Sequence, residues 1–145
     1  MKNNENSKPR SVVYSFEGRW EEPLTSGSVR VFFRKRRPVV LPERVFFYVG
    51  VPVKRIIGFS NVERIEPTNL SQAKSARKSG AITENELIKY IGDRGTVHAI
   101  YIGAPTIFPE PFELRELENN FGFSPPQSFS NVGSDFEEAL IGRVK

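Results

Sequence analysis

The sequence has no cysteine and a single histidine, His98. The first absence excludes a disulfide scaffold, a zinc-thiolate site, an iron–sulfur cluster and a thiol nucleophile. The second excludes a multi-histidine metal centre and a two-histidine mechanism. No apolar run approaches the roughly 18 residues that a membrane span needs. There is no glycine-rich phosphate loop and no serine in a nucleophile elbow. Glu21, Glu22, Glu63 and Glu66 are carboxylates available for acid–base work, but no spacing singles out a pair. The residues therefore assign no catalytic group, no metal ligand and no cofactor.

What is present is apolar material for a core and an uneven charge. The 145 residues include 12 phenylalanines, and the length suits one domain of about 100–150 residues. Residues 1–78 carry 16 bases and 7 acids, whereas residues 79–145 carry 5 bases and 10 acids. A basic surface in the first half would face a polyanion. If folding interleaves the two sets, no such patch survives. The polar stretch Met1–Pro9 lacks the apolar core of a secretory signal and reads as part of a flexible leader over residues 1–10. Residues 11–145 then make the single domain, and a cytoplasmic location is expected.

Strand signals dominate the chain. Ser11–Phe16, Val29–Arg34, Arg44–Gly50, Val53–Ile65 and Thr96–Ile102 are rich in β-branched and aromatic residues. Gly58 reads as a bulge or bend. A short helix is expected over Arg19–Leu24, stopped by Gly27, and another over Pro67–Lys78. Thr83-Glu84-Asn85-Glu86 has the form of a capping box, followed by the stripe Leu87, Ile88 and Ile91 and a C-cap at Gly92. Phe112–Asn119 fits a short helix, Pro125–Phe129 is extended, and Asp135–Ile141 fits a helix or a strand. No strand–helix–strand series recurs, which argues against a doubly wound parallel sheet. The class is α+β: a mixed β-barrel or curled sheet with two or three inserted short helices.

The most informative stretch is Gly27–Pro38, GSVRVFFRKRRP. Pleating places Val29, Val31 and Phe33 on one face and Arg30, Phe32, Arg34 and Arg36 on the other. Arginine holds phosphate through paired donors and stacks on bases, and an aromatic ring is a base platform. Arg44, Phe46 and Tyr48 alternate in the same way. If the two strands pair antiparallel, the basic and aromatic surface spans both. The competing reading puts Phe32 in the core and Arg34–Arg37 at a solvated strand end. Trp20 is either a stacking ring at a groove mouth or a core anchor. His98, in mid-strand with Thr96, Ile100 and Ile102 on its face, reads as a hydrogen-bonded core histidine.

These residues together resemble the ASCH family of the PUA-like superfamily, in the form of a small archaeal or bacterial member. The resemblance spans roughly residues 12–130. It is carried by the helix–glycine–basic-strand segment Trp20–Arg34 and the strand end Arg34-Lys35-Arg36-Arg37-Pro38. It is carried further by the Arg44–Ile65 block with Ile56-Ile57-Gly58-Phe59, and by the tail Pro125-Pro126-Gln127-Ser128-Phe129. The family signature is Gly-x-Lys-x-x-Glu-x-Arg. Aligned on Gly27, its arginine falls on Arg34, but Val29 and Phe32 stand at the lysine and glutamate positions. Arg30 replaces the lysine's charge only if the register shifts by one.

The resemblance implies a PUA-like barrel with a cleft for RNA or a nucleotide-like ligand. Family members include ribonucleases and amidohydrolases acting on acetylated cytidine. With Val29 and Phe32 in the signature, the first expectation is a non-catalytic RNA-binding module. Arg30, Arg34, Lys35, Arg36 and Arg37 would hold phosphates, and Trp20, Phe32 and Tyr48 would stack. The alternatives are a small hydrolase, with Arg34 orienting substrate and Glu63 as base, or a protein-interaction domain in transcription or translation regulation. No membrane contact is expected.

Overall fold

The computed structural model describes residues 11–91 and 97–144, without the Lys78 side chain. The leader over residues 1–10, the C-cap at Gly92 and the strand start at Thr96 lie outside the described residues. Seven strands form one mixed sheet: β1 (Val12–Phe16), β2 (Val31–Arg34), β3 (Arg44–Val49), β4 (Arg55–Thr68), β5 (Val97–Ile102), β6 (Thr106–Glu113) and β7 (Phe129–Asn131). The order is β2-β5-β4-β3-β1-β7, with β6 also on β4. The β1–β3 pair is parallel and the others are antiparallel.

The sheet curls around β4, which is 14 residues long. Its first part, up to Asn61, pairs with β3, and its second part, from Val62, pairs with β5. One strand thus serves both halves of the curl. Gly58 makes this possible. The register skips Ile57 against both β3 and β6, so a bulge sits where the sequence suggests one. A Cβ on Gly58 would lie 2.3 Å from the Thr106 carbonyl oxygen. Pro109 and Pro111 fall in the part of β6 that the β4 ladder passes over, where no backbone donor is required.

Three apolar layers follow from the period-2 alternation. Val12, Tyr14, Phe16, Phe32, Val45, Phe47, Val49, Ile100 and Ile102 point inside the curl. Val13, Phe46 and Tyr48 face outward under α4 (Leu114–Phe121) and α5 (Ser134–Gly142). Val31, Phe33, Val97 and Ala99 face outward under α2 (Leu70–Ala76) and α3 (Glu84–Ile91). Both faces of these strands are covered, which explains their nearly continuous apolar runs.

Several expectations need correction. The strand ladder does not close among the described residues, so the sheet is curled rather than a hydrogen-bonded barrel. Side chains cover the gap instead: the Phe32 ring lies 5.2 Å from Tyr14 and 5.1 Å from Phe16, both edge-to-face. Among the described residues there are five α-helices rather than two or three, counting α1 (Glu21–Ser26). The Val29–Arg34 strand starts at Val31 and pairs with β5, not with β3, so no basic surface runs across β2 and β3. The helix expected from Pro67 starts at Leu70, because β4 continues to Thr68 and Asn69 caps α2 by accepting from the Gln72 N–H at 3.0 Å.

Two local signals are realised as read. Gly27 ends α1 at φ +82°. Thr83 and Glu86 form the reciprocal capping box, with bonds of 3.0 and 3.1 Å.

Because Gly58 lies against backbone, its neighbours cannot yield cheaply. Gly58→Ala should destabilise the protein by about 2–3 kcal/mol, read as a lowered urea midpoint with an unchanged slope. An unshifted midpoint would show that β6 moves freely away from β4.

Candidate functional site

A cavity of about 840 Å³ opens where β1 and β2 meet without pairing. Four chain segments build it. β1 and the turn after it supply Ser15, Phe16, Glu17, Arg19 and Trp20; β2 and its exit supply Phe32, Phe33, Arg34, Lys35 and Arg36. The α2–α3 region supplies Gly80, Ile82, Glu86, Lys89 and Tyr90, and the tail supplies Gln127 and Ser128. The tail is held there because Ser15 donates its N–H to the Ser128 carbonyl at 3.2 Å and its hydroxyl to the Pro126 carbonyl at 2.7 Å.

Arg34 is the centre of this arrangement. Its half-buried side chain lies among rings, with the guanidinium carbon 4.6 Å from the Phe16 centroid, 5.1 Å from Phe32 and 5.7 Å from Tyr14. It donates from Nη2 to the Ser15 carbonyl at 3.0 Å and from Nη1 to its neighbour Phe33 at 3.1 Å. The first of these bonds crosses the open seam from β2 to β1. Among the described residues no carboxylate pairs with it. Burial lowers its pKa from the ordinary value, opposed by Tyr90, Tyr14 and Glu17. The cation is held by carbonyls and aromatic faces alone.

The cavity lining carries five cations, Arg19, Arg34, Lys35, Arg36 and Lys89, against two carboxylates, Glu17 and Glu86. Glu86 is engaged by Arg19 at 2.7 Å, and the Arg19 guanidinium lies 3.9 Å over Trp20. The Thr83 backbone N–H, more than Arg19, holds the Glu86 carboxyl below its usual pKa. Tyr90 accepts the Lys35 backbone N–H at 3.0 Å. Buried Tyr14 donates its hydroxyl to the Arg36 carbonyl at 2.9 Å, fixing the chain as it leaves β2. Burial raises the Tyr14 pKa despite Arg34 and Arg37, so it remains a donor.

Five of the eight residues singled out from the sequence meet in this cavity: Trp20, Phe32, Arg34, Lys35 and Arg36. Phe32 belongs to its floor; at 4% exposure and packed on Tyr14 and Phe16, the ring is not free to stack on a ligand. The alternation along β2 is real, but the face shared by Phe32 and Arg34 is the inner one, and α2 and α3 cover the other. Arg30, Arg37 and Tyr48 do not line the cavity. Arg30 donates to the Ile102 carbonyl at 3.2 Å and Arg37 to the Pro38 carbonyl at 3.0 Å. Tyr48 packs against Phe123 in the layer under α4 and α5. Glu63 is exposed and outside the cavity.

Residue-by-residue reading of the sequence missed Glu17, Arg19, Glu86, Lys89 and Tyr90 as site residues. The polar face of α3 carries Lys89 and Tyr90, but only the tertiary fold turns that face to the seam. Gln127 and Ser128 were marked by the proline-rich tail motif alone.

His98 sits on β5 opposite Arg34 and Pro67. It is half-buried, and its Nδ1 is buried without a hydrogen-bond partner among the described residues, in contrast to the bonded core histidine expected. Burial, then the Arg37 charge, lowers its pKa. The unfolded chain takes up this proton near pH 6.5 and the native protein only at lower pH. Stability from His98 is therefore full above pH 6.5 and declines as pH falls through the lowered native value. In urea unfolding, wild type should lose more stability between pH 7.5 and 5.5 than His98→Gln. Equal losses would remove His98 from the pH response.

A curled mixed sheet with helices on its outer faces is the PUA-like architecture. Comparison with known proteins narrows the class. No family model matches the chain. An ASCH domain-containing ribonuclease of Zymomonas mobilis is 25% identical over 136 residues, covering 91% of this chain and 90% of that protein. The crystal structure of ASCH from Zymomonas mobilis matches with a TM-score of 0.84 at 24% identity, covering 92% of this chain and 94% of that one. The N-terminal domain of Staphylothermus marinus McrB matches with a TM-score of 0.63 at 10% identity, over 93% of this chain and 94% of that one. Over most of its length the chain thus shares the fold of these ASCH domains, and in sequence it is similar to the ASCH domain-containing ribonuclease.

Proposed function

We propose that the protein binds RNA, through single-stranded or looped segments, at the seam cavity. One observation carries the reading: five cations against two carboxylates surround a cavity of about 840 Å³ that also holds aromatic rings. Cations engage the phosphate backbone, and the half-buried rings of Trp20 and Tyr90 offer faces to a base. Arg34, without a carboxylate, gains its counter-charge when a phosphate enters. Duplex DNA fits less well, because its bases are stacked away from such a cavity. The Zymomonas relative is named a ribonuclease, which supports RNA as the ligand class.

The same relative favours a second reading, in which the bound RNA is cleaved. Arg34 would then offset negative charge developing on the phosphate. Arg34→Ala would abolish cleavage of labelled single-stranded RNA. Intact RNA after incubation with the wild-type protein would retire this second reading and leave the first.

Binding should weaken with salt by a log–log slope of about −0.7 per phosphate neutralised. The variant Lys35→Gln/Arg36→Gln should flatten that slope by about 1.4. Titration of a single-stranded RNA at several salt concentrations measures this. An unchanged slope would remove both residues from the phosphate path.

A further inference from the structure

Pro38 and Pro42 are both buried, but the three residues between them are not. Val39 is 97% exposed, Val40 54% and Leu41 42%. Three consecutive apolar residues displayed to water have no role in the core, and a run of this kind is a fault unless it is used. The root of the loop is fixed while its tip is bare. Tyr14 holds the Arg36 carbonyl, Arg37 closes on the Pro38 carbonyl at 3.0 Å, and the two prolines pack inward. The tip is thus presented in a set shape, so little ordering entropy is lost when something covers it.

The loop leaves directly from the cavity rim. Lys35 and Arg36 line the cavity, and Val39 follows Arg36 by three residues, a reach of at most about 10 Å. Neither Lys35 nor Arg36 pairs with a carboxylate among the described residues. An occupant that lies over both must be anionic along its length and apolar in patches. A single-stranded nucleic acid has this character, with charged phosphates and flat base faces. An anionic lipid surface fits less well, because the tip carries no tryptophan or other aromatic anchor and its three side chains are small.

We infer that the Val39-Val40-Leu41 tip is a second subsite, which packs against the base next to the one held in the seam cavity. The protein therefore recognises a strand of at least two nucleotides and holds it more tightly than a free mononucleotide. This rests on the proposed RNA binding and deepens it. Aliphatic side chains make such contacts by lying on or wedging against base faces, and that contact is sequence-tolerant.

The test compares wild type with Val39→Ser/Val40→Ser/Leu41→Ser. All three positions are solvent-exposed, so the fold is kept, and circular dichroism checks it. The probes are a single-stranded hexauridylate, uridine monophosphate, and vesicles of mixed phosphatidylcholine and phosphatidylserine. Hexauridylate affinity should fall about five- to tenfold in the variant, the size of one lost base contact. The salt slope and the affinity for the mononucleotide should not change. Equal hexauridylate affinity in both proteins would overturn the second subsite while leaving cavity binding intact. If wild type binds neither RNA probe, the proposed function itself fails and the subsite with it. Vesicle binding that the variant loses, without any RNA binding, would assign the tip to a membrane.

Discussion

A guanidinium held among three aromatic rings, with no carboxylate beside it among the described residues, organises this molecule. The strand ladder stops short of closing, and β1 and β2 face each other without backbone pairing. Arg34 reaches across that gap to the Ser15 carbonyl, while Phe32 fills it below by packing on Tyr14 and Phe16. A leucine here could fill the space but could not satisfy the carbonyl. A lysine could reach it only as a single point charge, without the planar fork that spans two carbonyls and lies along ring faces. The arrangement ties the strands together and leaves a cation without its counter-charge at the floor of an open cavity.

The same geometry accounts for where the sequence was readable and where it was not. The strands β1, β2, β3 and β5 were legible as runs of β-branched and aromatic residues, because both of their faces are covered. That double covering also hid which face was which. Nothing in VRVFFR says that Phe32 rather than Phe33 points inside the curl; α2 and α3, about 40 or more residues downstream, decide it. Gly27, Gly58 and the Thr83–Glu86 box were legible because each signal is local. The β2–β5 pairing was not, since it joins residues nearly 70 positions apart, and strand partners at that distance leave no local mark.

The candidate site was half legible for a related reason. Trp20, Arg34, Lys35 and Arg36 belong to one short stretch whose composition stands out. Lys89, Tyr90 and Glu17 come from elements that read as ordinary helix face and turn. Conversely, Tyr48 shares a β-strand parity with Arg44 and Phe46 that looked like a continuation of the basic surface. It lies instead under α4, because β3 sits in the middle of the sheet with both faces buried. The exposed tip beyond Pro38 belongs to the same economy of the fold: the inner curl is already filled by larger rings, and the prolines turn the chain outward before it re-enters as β3.

If Arg34 is the anion-binding cation of an open seam, its charge governs ligand response as well as the tie between β1 and β2. Thermal unfolding with and without single-stranded hexauridylate, for wild type and Arg34→Met, tests this directly. The wild-type midpoint should rise with ligand concentration as expected for binding to the native state. Arg34→Met should keep the circular dichroism spectrum but start from a lower midpoint, because the bond to the Ser15 carbonyl is lost, and that midpoint should rise with the ligand much less than the wild type's. A variant midpoint that climbs with hexauridylate as steeply as the wild type would contradict the account, because the seam cation would then have no part in holding RNA.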